Sequence, residues 1–92
     1  MLRKVAFSQT KGNRDRLSIF SDMLTCAIGE TRKTEIMCRA GLSTVQLHKY
    51  MNVLTRSELL EVRKRKKAVT YRTTPKGRSF LETFGALVEF LS

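Results

Sequence analysis

The chain has 92 residues, 41% of them hydrophobic and 28% charged, which is the length and composition of one folded domain. Its 18 Lys and Arg against 8 Asp and Glu give a formal charge of +10, which favours a polyanionic partner, either nucleic acid or an acidic membrane surface. One His and two Cys are too few for most zinc sites built on Cys and His, and no apolar run reaches the roughly 20 residues that a membrane span needs. We expect no enzymatic activity, cofactor or metal.

The positive charge is concentrated in two segments. Residues 1–16 carry five basic and one acidic residue, a net +4, and residues 59–78 carry eight and one, a net +7. The segment between them is nearly neutral, and residues 79–92 have a net charge of −2. We interpret residues 1–13, which show no helical period, as a basic N-terminal arm, and residues 59–78 as a contact surface.

The first predicted helix covers residues 14–28. Asn13 is the expected N-cap, and Gly29 is expected to end the helix in the left-handed conformation. The apolar residues recur at spacings of three and four, which indicates one buried stripe. The stripe is formed by Leu17, Phe20, Met23, Leu24, Ala27 and Ile28.

Two helices joined by a glycine turn follow. Residues 33–40 form a short helix with one apolar face, and Gly41 allows a sharp turn after it. Ser43 then begins a longer helix that we expect to end near Ser57, with Gln46 at the spacing of a capping box. Its inner stripe is formed by Leu47, Tyr50, Met51 and Leu54. Two short helices with a tight turn and a polar outer face indicate a helix-turn-helix unit.

A predicted hairpin and a last helix complete the chain. Residues 59–63 and 69–73 alternate as half-buried strands do. The tip at residues 65–68 has no Gly or Asn, so we expect a longer, flexible tip instead of a two-residue primed turn. Thr74 caps the last helix and Pro75 occupies its first position. Its apolar stripe is wide and includes Phe80, Leu81, Phe84, Leu87, Val88 and Leu91.

The sequence from Leu42 to Leu60, LSTVQLHKYMNVLTRSELL, followed by a basic hairpin and YRTTPKGRSFL, resembles a winged helix-turn-helix DNA-binding domain. It is most similar to small archaeal winged-helix DNA-binding proteins, in which RIM..A.LS precedes the recognition helix. Here that segment reads EIMCRAGLS, with Glu35 in place of Arg. The arrangement is also similar to bacterial winged-helix repressors. The resemblance covers about Arg14 to Leu81 and implies an α+β fold: a three-helix core, a β-hairpin wing and an additional C-terminal helix.

Charge, periodicity and the resemblance together divide the chain into an arm at 1–13, a winged helix-turn-helix domain at 14–74 and a C-terminal helix at 75–92. It implies that the helix Ser43–Ser57 enters the major groove of double-stranded DNA and that the wing Leu60–Thr73 lies on the backbone. The base-facing candidates are Thr44, Gln46, His48, Lys49 and Asn52. The candidates for phosphate contacts are Ser43, Arg63, Lys64, Arg65, Lys66, Lys67 and Arg72.

Several of these residues have a structural alternative. Ser43 and Gln46 can serve only to cap the helix, and His48 can be a solvated or phosphate-facing side chain. Cys26 and Cys38 are interpreted as small buried hydrophobic residues, although Cys38 can face either side of its helix, and a redox switch is the alternative. For Ser43, Gln46 and His48, these alternatives decide whether the side chain is free to contact DNA.

The last helix is the predicted dimerisation element. The archaeal relatives dimerise through a C-terminal helix, often a long coiled coil, whereas this helix is only about 17 residues long. We expect a homodimer whose interface is formed by Phe84, Leu87, Val88 and Leu91. The alternative is that the helix folds back against the first helix and completes the core of a monomer.

The leading interpretation of function is a DNA-binding transcription regulator. An architectural, chromatin-type protein with little sequence specificity and a winged-helix adaptor for another protein are the alternatives. RNA binding is less favoured because the chain lacks the glycine-aromatic motifs of common single-strand modules. Two cysteines without a spaced framework, and no signal-peptide pattern, lead us to expect a cytoplasmic, nucleoid-associated protein.

Overall fold

The computed structural model describes residues 15–91, so the predicted arm at residues 1–13 lies outside the described range. The element order is helix, helix, helix, strand, strand, helix, which confirms the predicted α+β fold. The elements are α1 (Arg16–Cys26), α2 (Lys33–Ala40), α3 (Thr44–Arg56), β1 (Leu60–Lys64), β2 (Val69–Thr73) and α4 (Pro75–Leu91).

Both predicted ends of α1 were wrong. The N-cap is Asp15, whose Oδ1 accepts a hydrogen bond from the Ser18 backbone N–H at 2.9 Å, so α1 begins at Arg16. The helix ends at Cys26, and the left-handed residue after it is Glu30, with φ 62°, instead of Gly29. A glutamate in this conformation is uncommon and shows that contacts elsewhere in the fold decide the shape of the loop.

The core lies where α1, α2, α3 and the start of β1 meet. Its largest fully buried side chains are Met23, Leu24, Ile36, Leu54 and Leu60. Leu17 and Ile28, predicted to be in the buried stripe of α1, are 49% and 39% exposed, and Ile19 is buried instead. Ile28 is exposed because it lies beyond the end of the helix and no longer follows the helical period.

The turn into α3 forms as predicted. Gly41 adopts the left-handed conformation, with φ 66° and ψ 46°, which costs glycine little. The Leu42 N–H donates to the Met37 carbonyl at 3.0 Å and closes the end of α2. Ser43 then caps α3, which fixes where the helix begins relative to α2.

β1 and β2 pair antiparallel, from Leu60 opposite Thr73 to Lys64 opposite Val69. Thr31 adds one residue of a third strand, exchanging hydrogen bonds of 2.9 and 2.7 Å with Tyr71. The tip at residues 65–68 contains no residue with positive φ, which confirms that the turn is not a primed one. We call β1, the tip and β2 together the wing.

Thr74 caps α4 as predicted, accepting from the Gly77 N–H at 3.0 Å, and also donates to the Glu58 carbonyl at 2.7 Å. Gly77 is buried at a close approach of α4 to the hairpin. A Cβ at this position would overlap the Leu59 carbonyl oxygen and would lie 2.6 Å from Cγ2 of Thr73. The absence of a side chain at Gly77 therefore sets how α4 leaves the domain.

The first half of α4 packs against α1, where Phe80 and Leu81 are half-buried against the core. Farther along, Leu87, Phe90 and Leu91 are 50%, 85% and 52% exposed. Folding back against α1 therefore covers only part of the apolar surface of α4. No helix within residues 15–91 is both long and apolar enough to cross a membrane.

Candidate nucleic-acid interface

The outer face of α3 is defined by what the helix buries. Leu47, Met51 and Leu54 pack into the core, so the residues on the opposite side of the helix point away from the domain. We call this set the outer face; it consists of Val45, Lys49, Asn52 and Arg56, and all four are exposed. Lys49 and Asn52 were predicted to face the bases. Val45 and Arg56 were not, although a projection of α3 along its axis would have placed them there.

Val45 is the unusual member of the outer face. Its side chain is 76% exposed in the first turn of α3, the turn from which recognition helices usually reach base edges. Thr44, beside it, is exposed as well. An apolar side chain at this position can contact the methyl group of thymine but cannot pair with a phosphate.

Gln46 is engaged in a cap. Its Oε1 accepts a hydrogen bond from the Ser43 backbone N–H at 3.0 Å, and its own N–H donates to Ser43 Oγ at 3.1 Å. Paired recognition of adenine needs both ends of the glutamine amide. The geometry therefore favours the capping alternative for Gln46.

His48 lies beside a groove between α3 and the wing. The groove has a volume of about 250 Å³, and its lining residues are Lys33, His48, Met51, Asn52, Thr55, Val62 and Tyr71. Lys33 Nζ approaches His48 Nε2 to 3.4 Å, and none of the lining residues is acidic. A concave surface that carries Lys33 and no carboxylate, beside the outer face of α3, can accept part of a nucleic-acid backbone.

Tyr50 holds α3 against α1. Its ring is half-buried and meets Phe20 edge-on, with the ring centroids 5.5 Å apart at 82°. Lys49 Nζ lies 5.9 Å from the centroid of the same ring. The prediction that Tyr50 belongs to the core is confirmed.

The basic residues of the wing form two groups. Lys64, Lys66, Lys67 and Arg72 are exposed and, among the described residues, take part in no ion pair. Arg63 and Arg65, by contrast, are paired within the protein. The Arg65 guanidinium makes bonds of 2.6 to 3.0 Å to the Glu30 carboxylate, and Arg63 Nε lies 3.5 Å from it.

Two further contacts complete the surroundings of Glu30 and Arg63. Thr70 Oγ1 donates to Glu30 at 2.6 Å, and Arg63 Nη1 donates to Glu61 at 3.1 Å. The hydrogen bond from Thr70, and then the guanidinium of Arg65, hold the pKa of the Glu30 carboxyl below its ordinary value. Arg63 and Arg65, predicted to contact DNA phosphates, therefore already have an anionic partner in the protein.

The two cysteines differ in burial. Cys38 is exposed, contrary to the prediction, because Ile36 and Ala40 occupy the buried side of α2. Cys26 is half-buried, and burial raises the pKa of its thiol. Within residues 15–91, no group of three or more His, Cys, Asp or Glu residues is placed to hold a metal ion.

Solved structures share this architecture. The chain is similar to Sso10a-2, a DNA-binding protein from Sulfolobus solfataricus, with a TM-score of 0.77, 21% identity, and coverage of 84% of this chain and 81% of that chain. It is similar to the transcriptional repressor BigR from Xylella fastidiosa, with a TM-score of 0.64, 22% identity, and coverage of 89% and 81%. It is also similar to BpsR from Bordetella bronchiseptica, whose DNA binding is regulated by 6-hydroxynicotinic acid, with a TM-score of 0.70, 17% identity, and coverage of 97% and 72%.

These likenesses establish the fold. No curated protein matches the chain significantly in sequence. A family model does: the model described as winged helix-turn-helix matches residues 13–92, which is most of the chain. The order of three helices, a two-stranded wing and a last helix agrees with that match. The chain belongs to the winged helix-turn-helix family.

Proposed function

We propose that the chain is a DNA-binding transcription regulator that inserts α3 into the major groove and lays the wing along the flanking backbone. The observation that carries this proposal is the position of the outer face of α3, which is exposed and lies beside a wing with four basic side chains that make no ion pair within residues 15–91. A major groove about 12 Å wide admits one helix. The DNA-binding and repressor descriptions of Sso10a-2 and BigR support the same function.

In this proposal, side chains in the N-terminal part of α3 determine which DNA sequence the protein prefers. Thr44, Lys49 and Asn52 offer hydrogen bonds to base edges, Lys49 to guanine and Asn52 to adenine. Val45 contacts the methyl group of a thymine. Compared with the set expected from the sequence, Val45 is added, Gln46 is left out because it is held in its cap, and His48 is assigned to the phosphate contacts.

Phosphate contacts come from the start of α3 and from the wing. Ser43 lies at the N-terminus of α3, where the helix dipole favours an anion; its N–H is used by the cap, but its hydroxyl group can donate to a phosphate. His48 lines the groove that also carries Lys33. The positive surface extends beyond the groove through Lys64, Lys66, Lys67 and Arg72. Each of these side chains that neutralises a phosphate steepens the slope of log affinity against log salt concentration by about 0.9. A protein with these phosphate contacts would be associated with the nucleoid.

A homodimer through α4 is part of the same proposal. Leu87 and Leu91 expose about half of their surface, Phe84 and Val88 are half-buried, and Phe90 is 85% exposed. Burying this surface against a second copy removes apolar area from water. A two-fold axis at α4 would present two copies of α3 to two half-sites, so the preferred DNA would be a palindrome.

A salt-titrated mobility-shift assay tests the function. The protein is titrated against duplexes selected from a random pool and against unselected duplexes of the same length. We expect tighter binding to the selected duplexes, and replacing both Lys49 and Asn52 by Ala should remove that preference while leaving non-specific binding. Equal affinity for both pools would favour the architectural alternative, and no salt-dependent binding to either would favour the adaptor.

A further inference from the structure

Glu30 connects the loop after α1 to the wing. Its backbone has φ 62°, a conformation that residues other than glycine rarely adopt. The next residue, Thr31, is held by two hydrogen bonds to Tyr71 in β2. The loop is therefore tied to the hairpin by its main chain, and this arrangement presents the Glu30 carboxylate to the side chains of the wing.

The Glu30 carboxylate binds three side chains that are 33 to 40 residues away in the sequence. Arg65 approaches it with Nε at 3.0 Å and Nη2 at 2.6 Å, and Thr70 donates at 2.6 Å. Arg63 Nε adds a charge at 3.5 Å. Arg63 and Thr70 lie opposite each other on β1 and β2, and Arg65 begins the tip. One carboxylate thus contacts both strands and the tip of the wing.

We propose that Glu30 is a positioning residue that holds the wing in its DNA-binding orientation, and that Arg63 and Arg65 serve this contact instead of contacting phosphate. This inference rests on the proposed DNA binding. A carboxylate beside a polyanion is repelled unless it stays paired, and moving Arg65 to a phosphate would leave Glu30 facing the DNA without its partner. The phosphate contacts of the wing therefore fall to Lys64, Lys66, Lys67 and Arg72.

The salt dependence of DNA binding separates the two roles for Arg65. Arg65→Gln and Lys67→Gln each remove one positive charge from the same tip. We expect Lys67→Gln to make the slope of log affinity against log salt shallower by about 0.9, because one phosphate is no longer neutralised. Arg65→Gln should leave the slope unchanged and weaken binding by a few-fold at every salt concentration. A slope change for Arg65→Gln equal to that of Lys67→Gln would overturn the inference.

A measurement on the free protein tests the positioning role without DNA. Glu30→Gln keeps the size of the side chain and removes the charge. Glu58→Gln is the matched control, since Glu58 is exposed, has a left-handed φ of 61° and takes part in no ion pair within residues 15–91. We expect lower ¹⁵N heteronuclear NOE values at Lys66 and Lys67 in Glu30→Gln and unchanged values in Glu58→Gln.

The double variant Glu30→Gln/Arg65→Gln completes this test. Because both residues act through one contact, the tip should be no more mobile in the double variant than in either single variant. Unchanged NOE values in Glu30→Gln would overturn the positioning role. If the protein fails to bind DNA, Lys67→Gln will also be without effect, and the NOE values alone then decide whether Glu30 positions the wing.

Discussion

Ser43 and Gln46 satisfy each other at the start of α3: the Ser43 N–H donates to Gln46 Oε1 at 3.0 Å, and the Gln46 N–H donates to Ser43 Oγ at 3.1 Å. Two of the backbone groups that a helix leaves free at its start are partnered in this way. The pair also turns the Gln46 side chain back along the helix. The end of α3 that we propose enters the DNA is therefore fixed before DNA binds.

The cap should matter for stability. Ser43→Ala removes the acceptor for the Gln46 N–H and should lower the free energy of unfolding by about 1 kcal/mol. Thr44→Ala is the control, because Thr44 is exposed and caps nothing, and it should change stability by less than about 0.5 kcal/mol. Urea denaturation followed by circular dichroism measures both. Equal effects of the two substitutions would contradict the role of the cap.

Two glycines of α4 should respond in opposite directions to alanine. At Gly77 the new Cβ would overlap the Leu59 carbonyl, and because that atom belongs to the backbone, Gly77→Ala should destabilise the protein by roughly 1–3 kcal/mol or more. At Gly85 nothing lies within 4 Å of the new Cβ, so Gly85→Ala should stabilise the protein by about 0.4–1 kcal/mol. Thermal denaturation of the two variants compares them directly. A stable Gly77→Ala variant would show that α4 can move away from Leu59 without cost.

Local signals predicted the elements well, and long-range contacts account for what was missed. The start of α3 was predictable because Ser43 and Gln46 act on each other three residues apart. The prediction of Asn13 as the cap of α1 was wrong because Asp15, two residues later, belongs to an equally good class of capping residue. The left-handed Glu30 had no local signal, since its carboxylate contacts are with residues more than thirty positions away. The need for glycine at position 77 was equally hidden, because it arises from the approach of α4 to Leu59.

The Glu30 contact should make stability depend on pH. Thr70 and Arg65 lower the pKa of the Glu30 carboxyl from its ordinary value of 4.5, so the ionised form is favoured in the folded protein. The resulting stabilisation is fully present above pH 4.5 and is lost as the pH falls through the lower pKa of the folded state.

The stability difference between the natural protein and Glu30→Gln should therefore be largest near neutral pH and should shrink as the pH falls below 4.5 and through the lower pKa of the folded state. Urea denaturation of both proteins at a series of pH values between neutral and strongly acidic measures the difference. The other carboxyl groups titrate in both proteins and cancel in the comparison. A difference that stays constant across this range would contradict the contribution of the ionised Glu30.

Val45 should contact the methyl group of a thymine base in the preferred DNA. Val45→Ala should weaken binding to the selected duplex by a few-fold, since each buried methylene-sized group is worth about 0.8 kcal/mol. Replacing the contacted thymine by uracil removes the same methyl group from the DNA side. The natural protein on the uracil duplex should therefore bind about as Val45→Ala does on the thymine duplex. Val45→Ala should bind the uracil duplex only slightly more weakly still, and additive effects of the two changes would contradict the contact.

The apolar surface at the end of α4 should make the chain a dimer. Leu87 and Phe90 are 50% and 85% exposed, and a charge at Leu87 would have to be buried in the interface. We expect sedimentation equilibrium to give a dimer mass at micromolar concentration for the natural protein and a monomer mass for Leu87→Glu. Val45→Glu is the control, because it adds the same charge to an exposed apolar residue on α3 and should leave the dimer intact. Since Leu87 is already half-exposed in the single chain, Leu87→Glu should keep the helical circular dichroism signal. A monomer mass for the natural protein at every concentration would contradict dimerisation through α4.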